Sequence, residues 1–148
     1  MAATANEIGT DVVRLTPYIF FYGRCEEALE FYKRALDGTY ELQRNTDMPS
    51  MPDHVVPTNW RDKVMHSTFT APGVSFMASD GREAKAIDTE AGNISLSLAA
   101  PTRAEGERLF KALSEGGNVQ MPLDDAFWGG RFAIVHDRFG IEWMLVSP

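Results

Sequence analysis

Cysteine is nearly missing from this chain: Cys25 stands alone among 148 residues. No intrachain disulfide can form, and a cytoplasmic setting is expected. Long apolar runs are missing too, so no segment has the length of a membrane span. The first residues, Met1 to Asp11, lack the basic-then-apolar order of a secretory signal and read, through residue 14, as a flexible polar lead-in. Positive charge is scarce, with 14 Lys and Arg against 21 Asp and Glu and a formal net charge of −7. No basic stripe offsets that balance, which excludes a phosphate backbone as partner; neither nucleic acid nor membrane is expected. The acidity serves solubility on one reading and attracts cationic ligands on another. Also absent are a glycine-rich dinucleotide fingerprint, a phosphate loop and a Gly-x-Ser-x-Gly elbow.

What is present is a repeat. Glu27, Phe31, Tyr32, Lys33 and Gly38 recur as Glu105, Leu109, Phe110, Lys111 and Gly116, an offset of 78. Gly73 to Met77 recurs as Gly140 to Met144 at an offset of 67. Two offsets, each constant over its own segment, predict one supersecondary unit duplicated, with an insertion in the first copy. The chain is large enough for one domain with a sizeable core, and its 44% hydrophobic and 24% charged residues suit a globular protein. Two equivalent halves, about 15–80 and 93–148, are expected to enclose a cleft.

The pattern predicts β-α-β-β-β twice. Leu15 to Tyr22 reads as a strand. Cys25 to Leu36 carries apolar residues at helical spacing, with Glu26, Glu27 and Glu30 early and Lys33 and Arg34 late, and Gly38 as the stop. Thr39 to Arg44, Val64 to Thr70 and Val74 to Ser79 read as strands. In the second half these are matched by Asn93 to Ala99, a helix capped by Thr102 with Glu105 completing a capping box, and a short strand at Asn118 to Met121. Arg131 to His136 and Ile141 to Val146 close the series. Asn45 to Asp62, with Pro49, Pro52 and Pro57, shows no sustained period; it is either a lid or a surface excursion packed on itself.

Alternation along the strands sorts the side chains by face. Ile94, Leu96 and Leu98 are expected under the helices, with Asn93, Ser95 and Ser97 opposite. Glu142, Met144 and Val146 lie opposite Trp143 and Leu145, and Ser75 and Met77 lie opposite Phe76. The second set is small and polar, which suits a curved sheet around a polar cavity.

The stretches Tyr18 to Tyr32, Val64 to His66, Met77 to Asp80, Phe127 to Gly129 and Asp137 to Met144 are together similar to the vicinal oxygen chelate superfamily. That superfamily includes glyoxalase I, extradiol dioxygenases, and bleomycin- and fosfomycin-resistance proteins. Within it the chain resembles the PhnB-like group, often labelled demethylubiquinone methyltransferase-like. The resemblance runs from Leu15 onward and implies an α+β fold of two β-α-β-β-β modules forming a curved mixed sheet with a cleft, in a homodimer. It identifies a lineage rather than a reaction. Enzymes of the superfamily bind a divalent metal through His, Gln or Glu at inward strand positions. Matched onto this chain, those positions fall near Pro17, at Ser75 or Met77, at Asn93 or Ser95, and at Met144. A metal needs three or more imidazole or carboxylate donors, and these residues do not supply them, so neither metal nor other cofactor is expected.

Two residues are candidates for catalysis. His66 shares a face with Thr68 and Thr70 and is either a general base or a hydrogen-bonded structural histidine. Glu142, in a partly apolar cavity, is expected to hold its proton more tightly. It acts as a base or as the anchor of a cationic ligand, or else pairs with Arg131. The remaining ligand-binding candidates are Trp60, Ser75, Met77, Asn93, Ser95, Trp128, Arg131 and Met144. Phe127 to Gly130 is the favoured aromatic loop, His54 and His136 are expected at the surface, and Cys25 is expected to be buried and structural. The leading reading is a protein that binds a small organic molecule in a polar, metal-free cleft. The alternatives are a divalent-metal enzyme of the glyoxalase or dioxygenase type and, last, a methyltransferase. For that last reading, nothing resembles the Rossmann-type site of a typical S-adenosylmethionine enzyme.

Overall fold

The structure, a computed structural model, describes residues 12–48, 56–87 and 92–148. Most of the lead-in, His54 with the prolines at 49 and 52, and part of the crossover between the halves lie outside them. The chain forms two compact units, Met1–Ala86 and Ile87–Pro148.

The first unit runs β1 (Tyr18–Phe20), α1 (Cys25–Leu36), β2 (Thr39–Arg44), β3 (Val64–Ala71) and β4 (Val74–Ser79). Its sheet has the order β1-β4-β3-β2, with β1 parallel to β4 and the other pairs antiparallel. The apolar stripe of α1 buries Ala28, Leu29, Phe31, Tyr32, Ala35 and Leu36. Tyr32 meets Phe69 and Phe76 edge-on, and those two rings stack at 4.8 Å. The start of α1 has no side-chain cap of its own. The buried Asp80 takes that role: Oδ1 accepts from the backbone N–H of Gly23 (2.7 Å) and Cys25 (2.8 Å), and Oδ2 from that of Val64 (2.8 Å). A carboxylate at a helix N-terminus satisfies free N–H groups and meets the positive end of the dipole.

The second unit repeats the plan as β5 (Leu96–Ala99), α2 (Arg103–Ser114), β6 (Asn118–Asp125), β7 (Arg131–His136) and β8 (Glu142–Ser147), in the order β5-β8-β7-β6. Both helices have 12 residues and sit at the offset the repeat requires. Trp143, Leu145, Ala133 and Val135 are buried on the face that meets α2. Asp137 is buried among them. Its Oδ1 accepts from the N–H groups of Phe139 (2.9 Å) and Ile141 (3.1 Å), and its Oδ2 from Trp143 Nε1 (2.8 Å). This fixes the turn that delivers Glu142 to the head of β8.

Several local expectations need correction. The opening strand is shorter than the apolar run, because only Tyr18–Phe20 pair with β4. β5 begins at Leu96, which leaves Ile94 78% exposed instead of packed under α2. β6 runs on to Asp125, through two register irregularities that accommodate Pro122. The left-handed residue ending α1 is Asp37 (φ 56°), whereas Gly38 is needed because a Cβ there would lie 2.5 Å from the Phe69 ring. Thr102 does cap α2, accepting from Glu105 N at 3.1 Å, but the Glu105 carboxylate turns to Arg108 (2.7 Å) rather than back to Thr102.

Candidate functional site

Each sheet has one face against its helix and one turned away, and the candidate residues fall on the second kind. In the first unit, the β-ladder sets His66 opposite Gln43, and Met77 opposite both Tyr18 and Thr68. Tyr18 lies 5.9 Å from the His66 ring and 5.1 Å from Phe20, so the histidine borders an exposed aromatic row. Ser75, one rung along, is exposed.

The second unit holds the more developed chemistry. Three rungs of the β7–β8 ladder present paired side chains away from α2: His136 with Glu142, Ile134 with Met144, and Phe132 with Val146. At the first rung, His136 Nε2 lies 3.1 Å from Glu142 Oε1, and Ser95 Oγ donates to Glu142 Oε2. The two side chains remain 16% and 22% exposed. Those hydrogen bonds, Ser95 first and His136 second, hold the Glu142 carboxyl below the ordinary carboxylate range. The expectation of a tightened proton is overturned, since two donors outweigh desolvation. An ionised carboxylate only accepts, so it is His136 Nε2 that carries the hydrogen shared with Glu142.

Within its own unit the histidine beside Glu142 is His136, which the sequence reading places at the surface. Strand parity contained that signal: six residues separate the two across the Gly140 turn, and both occupy positions facing away from α2. Arg131 does not pair with Glu142. It lies on the opposite face, where its guanidinium bonds Glu107 of α2 (3.0 Å) and the Leu123 carbonyl (3.1 Å). Trp60, expected as an exposed loop aromatic, is only 6% exposed and donates through Nε1 to the Gly81 carbonyl at 2.8 Å. Asn93 is exposed and precedes β5. Trp128 is 60% exposed; it packs edge-on against Phe127 at 4.8 Å and against Phe132 at 5.5 Å. The loop thus leans on the third rung. Cys25 is buried, and burial with the nearby Asp80 charge pushes its thiol up to about 12, so it is inert, as expected.

The fold is shared with known proteins. The profile of the 3-demethylubiquinone-9 3-methyltransferase family matches residues 13–146. The chain belongs to this family. Protein PA1353 from Pseudomonas aeruginosa is 38% identical, with a TM-score of 0.75 over 92% of this chain and 98% of that one. A putative 3-demethylubiquinone-9 3-methyltransferase, PhnB protein, from Bacillus cereus is 25% identical, with a TM-score of 0.74 over 91% of this chain and 99% of that one. A glyoxylase/bleomycin resistance protein/dioxygenase domain from Frankia sp. EAN1pec, 15% identical with a TM-score of 0.57 over 93% of each chain, shares the fold. This PhnB-like chain therefore has the α+β architecture of that superfamily, built from two β-α-β-β-β modules.

The family's methyltransferase description is a name and not a demonstrated reaction. Both sheets are mixed and mostly antiparallel, and neither has the doubly wound parallel topology of a nucleotide-binding layer. The divalent metal common in the superfamily also fits these residues poorly. Of the corresponding positions, Pro17, Met77 and Met144 offer no hard donor, and Ser95 is committed to Glu142. Among the described residues no three His, Cys, Asp or Glu side chains converge. Glu142 and His136 make two donors where a stable site needs at least three. No helix among the described residues is long and apolar enough to cross a membrane.

Proposed function

We propose that this PhnB-like protein binds a small organic molecule on the face of its second sheet that is turned away from α2, centred on Glu142, without a resident metal. The observation that carries the reading is the Ser95–Glu142–His136 cluster: an ionised, partly exposed carboxylate held by a hydroxyl and an imidazole and bordered by Met144 and Ile134. A surface ion pair would use Lys or Arg in place of such an arrangement. Oriented by Glu142, His136 is also placed to accept a proton from a bound molecule. The protein acts as a cytoplasmic homodimer in this reading; a chain whose single cysteine, Cys25, is buried suits a reducing compartment, which cell fractionation checks.

The test is a thermal-shift screen of small organic acids, amines and neutral compounds, run with EDTA and again with Zn²⁺, Ni²⁺, Mn²⁺ or Fe²⁺. Stabilising compounds should appear in EDTA, and Glu142→Gln should weaken them about tenfold or more while Lys111→Gln on the exposed side of α2 leaves them unchanged. Compounds that bind only with metal, or bind Glu142→Gln equally well, would overturn the reading.

A further inference from the structure

The three outward rungs of β7 and β8 form a chemical gradient. His136 and Glu142 make a charged end, Ile134 and Met144 an aliphatic middle, and Phe132 and Val146 an apolar end that the Trp128 ring extends. From His136 to Phe132 is four strand residues, about 13 Å. The outward positions flanking this track, Ser97 and Ala99 on β5 and Asn118, Met121 and Asp124 on β6, include no Lys or Arg. The one nearby arginine of β7, Arg131, is turned to the other face and tied to Glu107. At the charged end the Glu142 carboxylate meets Ser95 and His136, and no Lys or Arg stands on the outward face of β5, β6, β7 or β8. All six rung residues are half-buried, so the track is recessed but reachable.

We infer that the ligand of this site is an elongated amphiphilic cation, an organic ammonium whose charged head sits at Glu142 and whose apolar body lies along Ile134 and Met144 to Phe132 and Trp128. This rests on the small-molecule reading above and narrows it to a class. The charge complementarity selects the head, because a carboxylate or phosphate there would face Glu142. The middle rung selects an apolar body, since a polar one would lose hydration against Ile134 and Met144 without gaining hydrogen bonds. Trp128 and Phe132 offer aromatic area to the far end of the molecule.

The experiment measures binding of n-alkylamines from hexyl to decyl to the full chain, below their aggregation limits, by calorimetry and Trp fluorescence. The n-alkanols and n-alkanoates of equal length are the comparison. The alkylamines should bind at least tenfold tighter than the alkanols and tighter still than the alkanoates, with about threefold gained per methylene. Glu142→Gln should abolish the amine preference but keep the length dependence. Trp128→Ala should flatten the gain at the longest chains and keep the preference. If alkanols match alkylamines with the same length dependence, the cationic head is overturned and the small-molecule reading survives. If alkanoates bind best, the charge assignment is reversed and overturned. If no probe of any class binds, the track is not a ligand site and both readings fail. The comparison on the unmodified protein decides these outcomes even if a variant fails to fold.

Discussion

Glu142 shows how a carboxylate's neighbours, rather than its burial, set its chemistry. The residue is flanked by apolar side chains on its strand, which alone would raise its proton affinity. Ser95 and His136 reverse the sign by donating to the charged form. Linkage then fixes a pH dependence. A carboxyl held lower in the folded state than in the unfolded chain contributes stability that is present above the unfolded value, about 4.3, and is lost as pH falls through the folded one. The protein should therefore lose stability between about pH 5 and the folded value more steeply than Glu142→Gln does. Denaturant melts of both proteins from pH 7 to pH 3 measure this, and parallel curves would refute it. The buried carboxylates Asp80 and Asp137 do different work, since each accepts from three N–H donors and so pins the loops around it. Nothing in the spacing of Asp137 announced that role. Its partners are backbone groups that exist only once the Phe139–Ile141 turn has formed.

Among the elements, α2 approaches its sheet unusually closely at Gly106. A Cβ there would lie 2.6 Å from Ser147 Cβ, closer than real side chains come. Gly106→Ala should destabilise by about 1–3 kcal/mol through overpacking, despite the better helix propensity of alanine. Ser147→Gly should relieve most of that cost, so a double-mutant cycle by chemical denaturation should give a coupling of about 1 kcal/mol, and an additive pair would count against the close contact. The elements themselves were largely legible. The charge order and apolar spacing of Cys25–Leu36 gave the bounds of α1, and β2, β4 and β7 matched their alternation. Legibility failed where pairing, not pattern, decides. Ile94 alternates like a strand residue but has no neighbour to pair with, and β6 continues past Pro122 because β7 offers partners as far as Arg131. At the candidate site, the outward faces of Glu142 and Met144 could be read from parity. Parity also puts His136 on the outward face, but only the register of β7 against β8 sets it directly opposite Glu142.

At the scale of the whole molecule, the proposed homodimer has a physical basis in the first unit. β1 is a three-residue strand at the edge of its sheet, paired only with β4 among the described residues. The chain leading into it is held by Met77 N donating to the Pro17 carbonyl at 2.9 Å, yet it displays Val13 and Leu15 almost fully to water and Val12 in large part. Tyr18 and Phe20 extend the same apolar surface along the strand. Native proteins seldom leave an edge strand and a contiguous apolar row uncovered. A second copy meeting this surface by an isologous contact would cover both at once. Size-exclusion chromatography with light scattering should then give a mass near twice the 16.5 kDa of one chain. Replacing Val13 and Leu15 together by Asp should shift the protein to monomer with little loss of fold stability, since neither side chain contributes to the core of its own unit. A monomeric mass for the unmodified protein at tens of micromolar, or a dimer indifferent to both substitutions, would rule this interface out.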